Sequence, residues 1–106
     1  MKRKYLFFSL LLAGSSLYAQ EWPAVRPEAR PATRWWWLGS AVDATNLTYN
    51  LEEYAKAGLG AVEITPIYGV QGNDKNNIPF LSPQWMDMLK HTQAEGKRVG
   101  IEIDMN

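Results

Sequence analysis

The sequence predicts an α/β fold in which three parallel β-strands are joined by two helices, a βαβαβ arrangement. Two segments with helical spacing of apolar residues alternate with three short strand-like segments. Two joints between a helix and the next strand also look alike: Gly58-Leu-Gly-Ala-Val-Glu-Ile and Gly96-Lys-Arg-Val-Gly-Ile-Glu-Ile. Their glutamates, Glu63 and Glu102, lie 39 residues apart, which suits a repeated strand–helix unit. Strands that are linked by crossover helices run parallel.

Composition and charge exclude several classes of function. The chain has 106 residues, 46% of them hydrophobic and 21% charged, and its formal net charge is zero. Such a composition is typical of a globular protein. Three of the eleven basic residues lie in the first four positions, so no basic patch remains that would favour a nucleic-acid partner. Because there is no cysteine, disulfides, thiolate nucleophiles and Cys-ligated zinc are excluded.

Residues 1–19 have the layout of a secretory signal peptide. Three positive residues precede a short apolar run at 5–12, and small and polar residues follow, up to a cleavage site near Ala19. A membrane-spanning helix needs roughly 20 apolar residues, so we expect no stable membrane anchor. The sequence therefore predicts an exported protein, periplasmic or extracellular.

Residues 20–34 are predicted to form an extended, proline-rich lead-in. Prolines at 23, 27 and 31 remove backbone donors and favour extended geometry in the residues before them. The aromatic segment 35–38 then predicts the first strand.

Two helices are predicted by capping residues and apolar stripes. Asp43 is a suitable N-cap for the first helix, and Gly58 suits the left-handed position just after its end. Ser82 followed by Pro83 predicts the start of the second helix, and Gly96 predicts its end. Segments 61–66 and 98–106 are the remaining predicted strands.

The alternation of side chains along the strands favours a barrel. In the second and third strands one face is apolar, while the other carries Glu63, Glu102, Asp104 and Asn106. A strand covered by helices on both faces would be apolar throughout. A (β/α)8 TIM barrel accounts for the difference, with the polar face toward its interior. A doubly wound sheet, or the edge of an open sheet with one wet face, remains the alternative.

These inward polar residues are the first candidate site. Paired carboxylates carry out glycoside hydrolysis, and clustered oxygens equally bind calcium. Glu63, Glu102, Asp104 and Asn106 are therefore candidates to contact substrate or metal, Asp104 and Asn106 being nearer the carboxyl-terminal rim. The structural alternative is that each acid pairs with a basic residue of a neighbouring strand.

Aromatic and loop residues supply further candidates. Among the three consecutive tryptophans, Trp36 is predicted to be core, whereas Trp37, near the end of the strand, is the candidate sugar platform. The connection 67–81 is long for a strand-to-helix link, and long loops of this kind are often functional. Its side chains that could bind hydroxyl groups are Tyr68, Gln71, Asn73 and Asp74.

Residues 34–69 and 80–106 resemble the start of the catalytic barrel of glycoside hydrolase family 106, secreted bacterial α-L-rhamnosidases. The distinctive parts are the tryptophan run, the Ala-Gly-Leu-Gly-Ala-Val-Glu-Ile joint and the Ser-Pro-Gln-Trp helix start. The resemblance implies a (β/α)8 catalytic domain, an inverting mechanism with two glutamates, and a calcium ion near the bound sugar. It also implies that the catalytic acid and base lie beyond residue 106, so no catalytic residue is assigned here.

We therefore expect residues 35–106 to be the truncated N-terminal portion of a glycoside hydrolase barrel, since a complete barrel needs roughly 250 residues. The expected partner is an oligo- or polysaccharide substrate, with Trp37, Glu63, Asp104 and Asn106 as substrate-binding candidates. We expect residues 1–106 alone to be inactive. The alternatives are a small secreted carbohydrate-binding module without catalysis and another sugar hydrolase with the same barrel.

Overall fold

The computed structural model describes residues 21–106, so the predicted signal peptide lies outside the described residues. Three strands form one parallel sheet in the order β1–β2–β3. Two helices connect them, which confirms the predicted parallel βαβαβ arrangement. The elements are β1 (Ala32–Leu38), α1 (Ala44–Lys56), β2 (Ala61–Ile67), α2 (Pro83–Val99) and β3 (Glu102–Met105), with short 3-10 turns at Pro27–Ala29 and Asp74–Asn76.

Strand β1 begins three residues earlier than the sequence predicted. It pairs with β2 from Ala32, opposite Ala61, to Leu38, opposite Ile67. Proline restricts its own backbone and that of the residue before it, but it leaves the following residues free to pair. The Pro31 carbonyl itself accepts a hydrogen bond from the Gly60 N–H at 2.9 Å.

Helix α1 has the predicted caps. The Asp43 side chain accepts a hydrogen bond from the Asn46 N–H at 2.9 Å, satisfying one of the free amides at the helix start. Gly58, just after the helix, has a left-handed φ of 91°. The apolar stripe turns Leu47 and Leu51 into the core.

Helix α2 continues past Gly96, so the predicted end at that residue is wrong. The helix reaches Val99, and Gly100 takes the left-handed position with its N–H bonded to the Gly96 carbonyl. Gly96 is instead buried where the helix meets the sheet: a Cβ there would lie 2.8 Å from the Ile101 carbonyl oxygen and 2.7 Å from Ile103 Cγ1. The glycine therefore permits close packing rather than ending the helix.

Strand β3 is correspondingly shorter than the predicted 98–106, because residues 98 and 99 complete α2. It pairs with β2 from Glu102, opposite Ala61, to Met105, opposite Ile64.

The core lies between the sheet and the two helices. One face of β1 and β2 packs against α1 and α2, and the opposite face is polar and more exposed, as the alternation predicted for β2. Among residues 21–106, no helix is long and apolar enough to cross a membrane. The buried core consists of Trp35, Trp37, Leu47, Leu51, Val62, Ile64, Ile78, Trp85 and Ile101.

Candidate functional site

A pocket of about 650 Å³ lies at the carboxyl ends of the strands. Ligand pockets commonly have volumes of roughly 300–1,000 Å³, and parallel α/β sheets bind ligands at this end. The wall comes from the turn after β1, the end of β2, the loop before α2, and the residue after β3. Its residues are Gly39, Ser40, Pro66, Ile67, Tyr68, Gly69, Asp74, Asn77, Ile78, Pro79, Phe80 and Asn106.

The turn after β1 forms a fixed side of the pocket. Gly39 and Ser40 are consecutive left-handed residues, with φ of 62° and 49°. The Gly39 N–H donates to the carbonyls of Ile67 at 2.9 Å and Tyr68 at 3.1 Å, tying the turn to the end of β2. The buried Ser40 hydroxyl accepts a hydrogen bond from the Trp85 indole at 3.0 Å. The turn is therefore anchored to both the sheet and α2.

The loop between β2 and α2 is held in place by two apolar side chains. Ile78 is buried, and its N–H donates to the Gly39 carbonyl at 3.1 Å. The Phe80 ring packs edge-to-face on Trp85, with 5.0 Å between ring centroids, yet Phe80 remains 59% exposed. Tyr68 is 83% exposed. Aromatic side chains of this kind can stack on the apolar faces of sugar rings.

The exposures of Trp36 and Trp37 are the reverse of those predicted. Trp37 is 1% exposed and packs edge-to-face against Trp35 and Trp85, at centroid distances of 5.9 and 5.8 Å. It offers no ring face to a ligand in this structure, because α1 and α2 cover its side of the sheet. Trp36 lies on the opposite face, is 51% exposed, and has the Arg34 guanidinium 5.4 Å from its ring centroid.

Glu63 pairs with a basic residue of the neighbouring strand. Its Oε2 lies 3.6 Å from Arg34 Nε, and the two residues are opposite each other in the β1–β2 register. For Glu63, such pairing across neighbouring strands is the structural alternative to contact with substrate or metal. Asp104 lies opposite Glu63 on β3 and is exposed, as is Glu102.

Of the four candidates on the strands, Asn106 is the one that lines the pocket, together with the loop candidates Tyr68 and Asp74. Its N–H donates to the Ile64 carbonyl at 3.3 Å, which continues the strand pairing beyond β3. Glu63 and Asp104 lie further from the rim on the same open face, and Trp37 lies on the helix side. Substrate contact by any of the four stays a prediction.

The described residues do not by themselves form a metal centre. Within residues 21–106, no group of three histidine, cysteine, aspartate or glutamate side chains is placed to hold a metal ion. Calcium takes roughly six to eight oxygen ligands, and Asp104 and Asn106 would supply at most three side-chain oxygens, two from the carboxylate and one from the amide. The implied calcium ion would need further ligands from outside these residues or from water.

Glu95, the glutamate whose pKa is shifted, lies on the surface of α2. Arg98 donates hydrogen bonds to Glu95 and, at 2.6 Å, to Glu52 across the α1–α2 contact. These bonds to Arg98 lower the pKa of Glu95 below its usual value. The arrangement stabilises a charged pair, so we assign it to the packing of the helices.

Comparison with known proteins places the chain among the glycoside hydrolases. The model of glycoside hydrolase family 106, described as alpha-L-rhamnosidase, matches residues 24–106. The chain therefore belongs to this family, which confirms the resemblance.

One curated relative also belongs to the glycoside hydrolases by name. A Formosa agariphila protein named "Putative beta-glucuronidase" is 26% identical over 77 residues. The match covers 72% of this chain and 6% of that protein. The chain thus spans a small part of the length of this relative.

The pocket residues that sequence reasoning missed include Ser40, Asn77 and Phe80. The Ser40 contact with Trp85 joins residues 45 positions apart, so no local pattern reveals it. Asn77 is one of several asparagines in a turn-like segment, where this residue type is ordinary. Phe80 could have been predicted from the sequence, because it is an aromatic residue near the end of a long loop.

Proposed function

We propose that the protein hydrolyses terminal α-L-rhamnose from plant or complex polysaccharides. The observation that carries this proposal is the family match over residues 24–106. The pocket supports it, because amide and carboxylate side chains lie beside exposed aromatic rings there. This combination suits a sugar, which has both hydroxyl groups and apolar ring faces.

The pocket wall favours a neutral sugar over a uronic acid. None of the described wall residues is a lysine or an arginine, whereas Asp74 contributes a negative charge. A uronic acid carrying a carboxylate would therefore be repelled here and would lack a charge-assisted partner. Rhamnose carries a methyl group in place of that carboxylate, and Ile67 and Phe80 offer apolar surface to it. This reasoning favours a rhamnoside over the glucuronide named for the relative.

We propose that the mechanism is inverting, with two carboxylates outside residues 21–106. In inverting enzymes the two carboxyl groups stand roughly 6.5–9.5 Å apart, with the attacking water between one of them and the sugar. The ion pair with Arg34 at 3.6 Å suits a structural role for Glu63. The pocket described here would then bind the sugar while other residues perform the chemistry.

We also propose that β1, β2 and β3 are the first strands of a (β/α)8 barrel. Both helices cover the same face as the apolar side chains, and the open face carries Arg34, Trp36 and Glu63. A polar open face is what a barrel interior of this kind requires. A calcium ion near the sugar remains part of the proposal, with Asp104 and Asn106 as its candidate ligands in this segment.

The decisive experiment compares two substrates and two proteins. The complete gene product should release nitrophenol from 4-nitrophenyl α-L-rhamnoside and little from the β-D-glucuronide, and NMR of the first product should show an inverted anomer. Residues 21–106 alone should be inactive. Hydrolysis of the glucuronide alone would overturn the substrate proposal. Cooperative unfolding and sugar binding by residues 21–106, with no hydrolysis by the complete product, would favour a carbohydrate-binding module.

Export is tested separately. Mass spectrometry of the protein from the periplasm or medium should find a mature N-terminus close to residue 20. A protein retained in the cytoplasm with residues 1–19 intact would contradict this part of the proposal.

A further inference from the structure

The Asn77 side chain occupies an unusual position in the pocket. Asn77 follows the 3-10 turn Asp74–Asn76, and its N–H donates to the Asp74 carbonyl at 3.1 Å. The next residue, Ile78, is buried in the core. The backbone on both sides of Asn77 is thereby fixed, and its side chain remains exposed at the pocket wall.

Two glycines from separate turns support this amide, and we call them the glycine shelf: Gly39 and Gly69. A Cβ on Gly69 would lie 2.8 Å from Asn77 Nδ2 and 3.0 Å from Oδ1, and a Cβ on Gly39 would overlap Oδ1. Real Cβ contacts are almost never this close. The amide therefore rests directly on the backbone at the carboxyl ends of β1 and β2, and any other residue type there would displace it.

The amide is positioned by contact rather than by hydrogen bonds. Among residues 21–106, no hydrogen bond involves the Asn77 side chain, whereas neighbouring Asn76 donates to Asn73 Oδ1 at 2.6 Å. An asparagine side chain carries two N–H donors and a carbonyl acceptor. Asn77 thus presents its full hydrogen-bonding capacity to the pocket from a defined position.

We propose that Asn77 is a substrate-binding residue that hydrogen-bonds neighbouring hydroxyl groups of the sugar, and that Gly39 and Gly69 position it. This inference rests on the proposed function, since it assigns a role within the same pocket. The amide N–H donates to one hydroxyl oxygen, and the amide oxygen accepts from the adjacent hydroxyl. The exposed rings of Tyr68 and Phe80 flank the same space. The site therefore selects a ring with an intact hydroxyl pair.

Kinetics on the complete gene product test the binding role. We expect Asn77→Ala to raise KM for 4-nitrophenyl α-L-rhamnoside at least tenfold, because the amide contacts hydroxyls and not the reacting bond. Asn76→Ala is the matched control, since it removes an adjacent amide that bonds within the loop, and it should leave KM within twofold. Equal KM for parent and Asn77→Ala, in an active enzyme, would overturn this inference while the proposed function stands.

Deoxy sugars identify the hydroxyl groups concerned. Methyl α-L-rhamnoside inhibitors lacking one ring hydroxyl should bind the parent enzyme more weakly than the full sugar. For at least one of them this difference should disappear in Asn77→Ala, because the partner amide is already absent. If every deoxy penalty persists unchanged in the variant, Asn77 does not contact the sugar hydroxyls.

A kinetic cycle tests the glycine shelf. The three nearest atoms to a Cβ on Gly69 all belong to the Asn77 side chain, so Gly69→Ala should displace the amide and raise KM in the parent, but should add little in Asn77→Ala. No rise in the parent, or an equal rise in both backgrounds, would refute the shelf. A complete gene product with no activity on any rhamnoside would remove the proposed function and the sugar role together.

Discussion

Replacing Ser40 by alanine should destabilise the protein and loosen the pocket. The Ser40 hydroxyl accepts a hydrogen bond from Trp85 Nε1 at 3.0 Å, and both residues are buried. In Ser40→Ala the buried indole N–H loses its acceptor. The left-handed backbone at Ser40, with φ of 49°, is kept by alanine at a similar steric cost.

The size of the effect follows from burial. Leaving a buried donor unsatisfied costs about 1–3 kcal/mol, so Ser40→Ala should lower the free energy of unfolding by about that amount. Ser40→Gly loses the same hydrogen bond but relieves about 1–2 kcal/mol of left-handed strain, partly offset by about 0.5–1 kcal/mol of backbone entropy. We therefore expect the order of stability to be parent, then Ser40→Gly, then Ser40→Ala.

Urea unfolding of the purified complete protein, followed by tryptophan fluorescence, measures this order. The control is Thr33→Ala, which removes an exposed hydroxyl on β1; it should change the free energy of unfolding by less than about 0.5 kcal/mol. If Ser40→Ala is as stable as this control, the hydrogen bond to Trp85 does not anchor the turn, and the reasoning fails.

Three further predictions concern the core, the tryptophans and the helix surface. Gly96→Ala should lower the free energy of unfolding by about 1–2 kcal/mol in urea, because overpacking against a fixed carbonyl outweighs the better helix propensity of alanine; a stabilised variant would refute the close contact. Trp37→Ala should cost about 3–5 kcal/mol in the same assay, and a loss below about 1 kcal/mol would contradict its burial. The hydrogen bonds from Arg98 hold the pKa of Glu95 low. The stability that this ion pair contributes is therefore present at neutral pH, and it is lost as the pH falls below the usual glutamate pKa toward the lowered one. Glu95→Gln should flatten the acid side of a Tm–pH curve, and an unchanged curve would disprove the coupling.

Patterns that are local in sequence predicted the fold well. The Asp43 and Ser82 caps were placed correctly because a capping side chain bonds within its own first turn. The polar and apolar faces of β2 followed from strict alternation. Parallel pairing followed from helices between the strands, since a crossover leaves little other choice.

Features that depend on distant contacts were not predictable. Gly96 looked like a helix end because glycine often follows a helix. Its actual role depends on the Ile101 carbonyl and Ile103 packing against it, and this contact is defined only in three dimensions. The exposures of Trp36 and Trp37 depend on which face the helices cover, and alternation alone does not fix that face. The role proposed for Asn77 depends on glycines 38 and 8 positions earlier in the chain, Gly39 and Gly69.

The tryptophan run constrains the alignment of β1 only weakly. A slip of one residue would exchange the two faces of a strand, yet at two of these three positions it would replace one indole by another. Alignment must therefore be set at the ends of β1, by the Gly60–Pro31 hydrogen bond at one end and the Gly39 contacts with β2 at the other. Insertions or deletions near those ends should be far more damaging than aromatic exchanges within the run.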